Sequence, residues 1–169
     1  MLVIRFATLS DITQVMQLMN EIVPVMIAAG NFQWNSAYPN VDEFENDIAL
    51  NQLWVADIDD NIAGVAAITT YNEPEYANAG LDINEPAIVT HRLAVGLPYQ
   101  GRGVAAALLN KAEEVAISRK ISVLRIDTSA ENLVTQKLFP KSGYVFYGEI
   151  GLHFRPGQRF YCYEKRLVL

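Results

Sequence analysis

The feature that most constrains the fold of this chain is a strand, loop and helix in its middle. Ala87 to Val95 reads as a strand, Gly96-Leu97-Pro98-Tyr99 follows, and Gln100-Gly101-Arg102-Gly103-Val104-Ala105 opens a helix. That helix, Gly103 to Arg119, carries Val104, Leu108, Leu109, Ala112, Val115 and Ala116 as one apolar stripe. Val123 to Thr128 is the next strand. Such a β-α-β unit pairs its strands in parallel through a right-handed crossover. Consecutive N–H groups at the helix start form an anion site, aided by the positive end of the helix dipole. Gly101 and Gly103 let a phosphate approach the backbone, and Arg102 adds mobile positive charge. A lone G-x-G is more often a plain turn ahead of a helix, so the loop needs support from its surroundings.

The rest of the chain supplies strands that cannot all be parallel. Leu2 to Ala7 is a first strand, and Ser10 is placed to cap a helix bearing Ile12, Val15, Met16, Leu18, Met19, Ile22 and Val23. Pro24 is expected to kink or end it, with a second helical piece towards Gly30. Asn40 caps another helix, Val41 to Leu50. Leu53 to Ile58 and Ile62 to Thr70 form a hairpin through Asp59-Asp60-Asn61, and Asn72 to Pro86 is a loop. Asn132 to Lys141 is a short helix. Two last strands, Val145 to Phe154 and Phe160 to Leu167, flank a turn at Pro156-Gly157. The reading is α/β, or α+β by strict usage. A mixed, mostly antiparallel sheet has helices on both faces and one central parallel β-α-β pair. No linker or repeat divides the chain, so residues 1–169 are read as a single domain.

Composition excludes several partners. The net charge is −6, from 13 Lys and Arg against 19 Asp and Glu, which argues against nucleic acid and suits a cationic acceptor. No stretch approaches the ~20 apolar residues of a membrane helix, so no membrane partner is expected. Met1 to Asp11 lacks the apolar core of a signal peptide. One cysteine allows no internal disulfide, which suits a cytoplasmic protein. No cluster points to a metal.

Gly101-Arg102-Gly103-Val104-Ala105-Ala106 also fits G-x-G-x-x-A, with Asp127 about 20 residues on, as in a dinucleotide-binding fingerprint. There, however, the strand runs straight into the first glycine. Here Gly96 to Gln100 intervene, and no room remains for further parallel units.

Leu93-Ala94-Val95 followed by Pro98-Tyr99-Gln100-Gly101-Arg102-Gly103-Val104-Ala105-Ala106-Ala107-Leu108-Leu109 resembles motif A of the GNAT superfamily of acyl-CoA N-acyltransferases. Its signature, [Q/R]-x-x-G-x-[G/A], is met by Gln100, Gly103 and Ala105. Asn132, Leu138-Phe139 and Lys141-Ser142-Gly143-Tyr144 are similar to a later segment of that family, and Ile4 to Thr8 with Asp11-Ile12 to its opening. The resemblance covers nearly the whole chain. It implies acetyl-CoA as co-substrate and direct transfer to the amine of a small molecule or peptide. Pyrophosphate would lie on Gln100, Gly101, Arg102, Gly103, Val104 and Ala105. Pantetheine would lie between splayed strands, on the backbone of Leu93 and Val95 and against Asn132. Members often pair, so a homodimer fits.

The catalytic groups are less evident. The family often has a Tyr acid where this chain has Phe139, and Pro140 should bias Phe139 away from helical geometry. Strand alternation would put His91 on one face with Leu93 and Val95, as a general base. Glu73, Glu75 and Tyr76, in the preceding loop, are the runner-up bases or substrate contacts. Trp34 and Tyr38, near Phe32 and Pro39, are candidate walls of the acceptor pocket. Arg92 and Asp127 are read as a cross-strand ion pair, His153 as a surface residue and Cys162 as buried filler. A non-catalytic acyl-CoA sensor is the rival reading, and a dinucleotide-dependent oxidoreductase a third.

Overall fold

The computed structural model describes residues 1–169. Its strands are β1 (Leu2–Phe6), β2 (Leu53–Ile58), β3 (Asn61–Thr69), β4 (Ile88–Val95), β5 (Val123–Ser129), β6 (Val145–Leu152) and β7 (Arg155–Arg166). They form one sheet in the order β1-β2-β3-β4-β5-β7-β6. Only β4 and β5 are parallel; every other neighbouring pair is antiparallel. The helices are α1 (Ile12–Ala28), α2 (Val41–Ala49), α3 (Val104–Ser118) and α4 (Leu133–Lys141). The mixed sheet between helical layers is the architecture expected from the sequence. No helix is long and apolar enough to cross a membrane.

Each layer follows from its apolar stripe. On one face α1 buries Val15, Leu18, Met19, Ile22 and Val23, joined by Phe44 of α2. On the other, α3 buries Val104, Leu108, Leu109, Ala112 and Ala116, joined by Phe139 of α4. A large side chain buried this way contributes about 1.5–3 kcal/mol. Gly64 of β3 lets α3 approach closely: a Cβ there would lie 2.8 Å from Val104 Cγ1. The start of α3 is thereby drawn down beside Val95, the partner of Gly64 across the sheet.

Two irregularities shape the centre. Pairing of β4 with β5 covers Ile88↔Leu124, Val89↔Arg125 and Thr90↔Ile126, then stops. Meanwhile β4 follows β3 as far as Gly64↔Val95. The parallel strands therefore part after Thr90. At the same point β4 bulges: Ala67 pairs with His91 but Val65 with Ala94, and Arg92 takes a φ of 53°. A bulge bends its strand and breaks the alternation of side chains. Hence Arg92 reaches Asp47 of α2, while Leu93 and Val95 pack against the α3 layer. His91, opposite Ala67 of the α1 layer, does not share a face with Leu93 and Val95, contrary to the alternation expected.

Other local expectations also need correction. Pro24 does not interrupt α1, because both Pro24 and Asn20, whose carbonyl loses its partner, face solvent. The cap is not Ser10. Thr8 and Asp11 form a capping box around a 3-10 turn at Leu9–Asp11, and Arg5 holds the Asp11 carboxylate at 2.8 and 2.9 Å. The last hairpin turns at His153-Phe154, since Leu152 pairs with Arg155. Pro156 and Gly157 lie in an irregular stretch of β7 instead. The first hairpin is as expected, with Asp59 and Asp60 both at positive φ in its two-residue turn.

The Asn72 to Pro86 loop is pinned from below. Arg125 has no exposed surface; its Nε donates to Glu164 at 2.9 Å, and its Nη1 donates to Asn72 Oδ1 at 3.0 Å and the Asp82 carbonyl at 2.9 Å. Within the loop a 3-10 turn, Pro74–Ala79, buries Tyr76. Glu73 precedes that turn directly.

Candidate active site

A cavity of about 610 Å³ occupies the gap between β4 and β5 and continues over the start of α3. At one end lies the glycine loop. Gly101 and Gly103 sit at φ of 74° and 80°, and Gly103 precedes the first residue of α3. The backbone N–H groups from Gly101 to Ala106 have no partner in the protein, and Ala107 makes the first helical bond, to Gly103. This is a row of unpaired donors at the positive end of a helix, shaped for phosphate oxygens. The row of unpaired donors is offset by one residue from the Gln100 to Ala105 span singled out in the sequence. The Gln100 N–H donates weakly to Leu97 at 3.4 Å, and its side chain donates to the Val95 carbonyl at 3.3 Å. Val104 and Ala105 line the cavity, whereas Arg102 is exposed, 5.6 Å over the Tyr99 ring.

Leu93 and Val95 line the parted strands. Gly96 N–H bonds Ala63 of β3, so by alternation the N–H of Val95 faces the gap. Asn132 caps α4 through its Oδ1, which accepts from Thr135 N at 3.2 Å, and it also lines the cavity. Residues that could hold a pantetheine arm are thus arranged along the gap.

A cluster of titratable groups stands at the mouth of the gap. Glu73 lines the cavity and is 7% exposed. Burial, then the charges of Asp127 and Glu75, push its pKa up to about 7. Asp127 is raised by burial, opposed by nearby His91 and by the Tyr76 hydroxyl, which donates to it at 2.5 Å. His91 is half-buried and lowered by burial, with Asp127 opposing. Its Nε2 lies 3.0 Å from the Tyr71 carbonyl, which assigns the proton to that nitrogen and leaves Nδ1 as acceptor.

Several residues singled out in the sequence lie elsewhere. Glu75 does not line the cavity. Burial disfavours its charge, yet hydrogen bonds from the His153 backbone and ring hold its pKa below the ordinary range. Tyr76 is in the core under the loop, where its hydroxyl serves Asp127 and not the pocket. The expected Arg92–Asp127 pair is absent, because the bulge turns Arg92 to Asp47, at 2.6 and 2.7 Å, and to the Tyr38 hydroxyl at 3.1 Å. Trp34 and Tyr38 do line the cavity. Beside them is a residue the sequence did not suggest, Arg155, whose guanidinium lies 4.8 Å over the Tyr38 ring.

No phenol stands at the usual acid position. Phe139 is 1% exposed, with its ring edge-on to Tyr163 at 5.2 Å. As expected, α4 ends at Lys141, but Pro140 does not push Phe139 out of helical geometry; only the bond that the proline N–H would have made is lost. The Tyr144 hydroxyl is buried, unpartnered and away from the cavity, and burial pushes its pKa up. Phe139→Leu is therefore expected to keep turnover within a few-fold of wild type while costing about 1–2 kcal/mol of stability. A drop of ~10³ in turnover, with acetyl-CoA binding intact, would show that the ring takes part in the chemistry.

With this geometry in place, the comparisons with known proteins are specific. A family model described as Acetyltransferase (GNAT) family matches residues 15–144. An acetyltransferase of the GNAT family from Streptococcus agalactiae 2603 is 28% identical, with a TM-score of 0.84 over 99% of this chain and 96% of that one. The yncA protein of Salmonella typhimurium, solved with acetyl-CoA, shares the fold at a TM-score of 0.71, covering 100% of this chain and 95% of that one at 16% identity. The human N-acetylaspartate synthetase is 25% identical over 113 residues, which are 67% of this chain and 34% of that protein. The matched region thus spans about a third of the length of that curated relative.

Proposed function

The chain belongs to the acetyltransferase (GNAT) family, and on that premise we propose that it moves an acetyl group from acetyl-CoA directly to an amine. The observation that carries this reading is the row of unpaired N–H groups from Gly101 to Ala106, set beside strands that part after Thr90. Acetyl-CoA supplies an activated acyl thioester. The N–H groups of the loop bind its pyrophosphate, and the gap between β4 and β5 takes its pantetheine arm past Leu93, Val95 and Asn132.

In this reading Glu73 is the general base. An attacking amine must lose a proton, and a carboxylate with a pKa of about 7 is matched to that task near neutral pH. His91 takes a supporting place. Burial lowers its pKa below the ordinary imidazole range, against the pull of Asp127, and makes it the weaker base. The Val95 N–H, facing the gap, polarises the thioester carbonyl. As the amine attacks, the C–S bond breaks and the sulfur leaves as thiolate, a fair leaving group near neutral pH. No dedicated acid is needed, which accommodates Phe139.

Direct transfer is favoured over an acyl-enzyme. Cys162 is fully buried and burial pushes its thiol pKa up, so it is held protonated away from the cavity. Initial rates with acetyl-CoA and an acceptor both varied should give intersecting double-reciprocal lines. Parallel lines would mark a covalent intermediate and overturn the direct route. The cavity must hold the pantetheine arm as well, which leaves space for a small acceptor. The name of the human relative, N-acetylaspartate synthetase, fits an acceptor of that size.

A further inference from the structure

We propose that the acceptor is a free amino acid whose carboxylate is held by Arg155; this rests on the acetyl-transfer reading of the same cavity. Two guanidinium groups line the cavity, those of Arg92 and Arg155. Arg92 is neutralised by Asp47 at 2.6 Å. Arg155 has no carboxylate partner, although acidic residues outnumber basic ones in this chain by 19 to 13. Its Nε donates to the Gln33 carbonyl and its Nη1 to the Phe154 carbonyl, both at 2.9 Å. The Tyr38 and Phe154 rings flank it at 4.8 and 5.4 Å. Its Nη2 is buried with no hydrogen-bond partner.

Arg155 is only partly buried, but its guanidinium is held in place, and a buried Nη2 left unpaired is costly unless something complementary meets it. The matching group is a carboxylate, which accepts from the planar guanidinium and cancels its charge. Glu73 and Asp127 line the same cavity, so it carries both signs of charge. A free amino acid presents both signs in one small molecule, its ammonium to the acidic cluster and its carboxylate to Arg155. Polyamines and aminoglycosides carry only positive charge and would be repelled by Arg155. An amine within a peptide has its neighbouring carboxyl locked in an amide.

Calorimetry on the protein saturated with free CoA tests this without requiring turnover. Each of several amino acids is compared with its amide and its decarboxylated amine. The amino acid is expected to bind about 10²-fold more tightly than either analogue, the usual size of a charged hydrogen bond lost. Arg155→Met should bring the ratio towards one, and Arg155→Lys, which keeps the charge without the fork, should fall between. Unchanged CoA affinity in both variants checks that the cavity is intact. If the amide or the amine binds wild type as well as the amino acid does, the proposal is overturned. Thiol release from acetyl-CoA with the same panel is scored separately. Tight amino acid binding with no release would sink the acetyl-transfer reading while leaving the Arg155 site standing.

Discussion

Gly103→Glu is expected to weaken acetyl-CoA binding by at least about 10³-fold while leaving the protein folded. Residue 103 immediately precedes α3, at a φ of 80°, and a Cβ built there meets nothing within 4 Å. The added side chain therefore causes no packing clash. Its cost to the fold is the left-handed backbone, roughly 1–2 kcal/mol for a residue with a Cβ. Its cost to binding is larger, because a carboxylate is placed among the N–H groups that would face phosphate. Gly103→Ala separates the two effects: it carries the backbone strain without the charge and should bind far better than the glutamate. Calorimetry reads the affinity and near-ultraviolet circular dichroism the fold. A glutamate variant that binds acetyl-CoA like wild type would mean that the phosphates lie elsewhere.

Glu73→Gln is expected to lower kcat/KM by about 10²–10⁴-fold, the usual contribution of a general base. In wild type the rate should rise with pH through an apparent pKa near 7, as the Glu73 carboxyl loses its proton. The variant should lose that limb, while His91→Ala should keep it. The opposite result, a limb that disappears with His91 and survives in Glu73→Gln, would hand the role to the imidazole. Acceptors of different pKa must give the same limb, since the amine also titrates. Stability supplies a second readout. The folded pKa of Glu73 is raised, so its contribution is fully present below the ordinary carboxylate range and is lost as pH rises through about 7. The glutamine variant should match wild type in Tm near pH 4 and exceed it at pH 8.

Legibility in the sequence followed the range of the interactions. The loop Gln100 to Ala105, the stripe of α3 and the Asp59-Asp60 turn are set by neighbours in the chain, and each lies within a residue or two of where it was expected. The parting of β4 from β5 was legible only through a family resemblance. The bulge that goes with it was not legible at all, because Arg92 turns towards Asp47, 45 positions away. That bulge is why His91, Leu93 and Val95 do not share a face. Glu73 and Glu75 looked alike in a polar loop. They differ because His153 holds Glu75 from 78 positions away, whereas Glu73 is buried against the cavity beside Asp127. Arg155 carried no local signal, since its place depends on Gln33, 122 positions off. The Pro156-Gly157 pair drew the turn to the wrong point because two contacts outrank it: His153 to Glu75 and Arg155 to Gln33.

The central claim is that the cavity moves an acetyl group rather than only holding its carrier. It is tested most directly by mixing the protein with acetyl-CoA and a panel of amino acids, measuring free thiol and acetylated product together. The account predicts thiol release that depends on the acceptor, equimolar with N-acetyl amino acid, and abolished in Gly103→Glu. Tight binding of acetyl-CoA with no thiol released beyond the rate without protein would contradict it and identify the chain as an acyl-CoA-binding module.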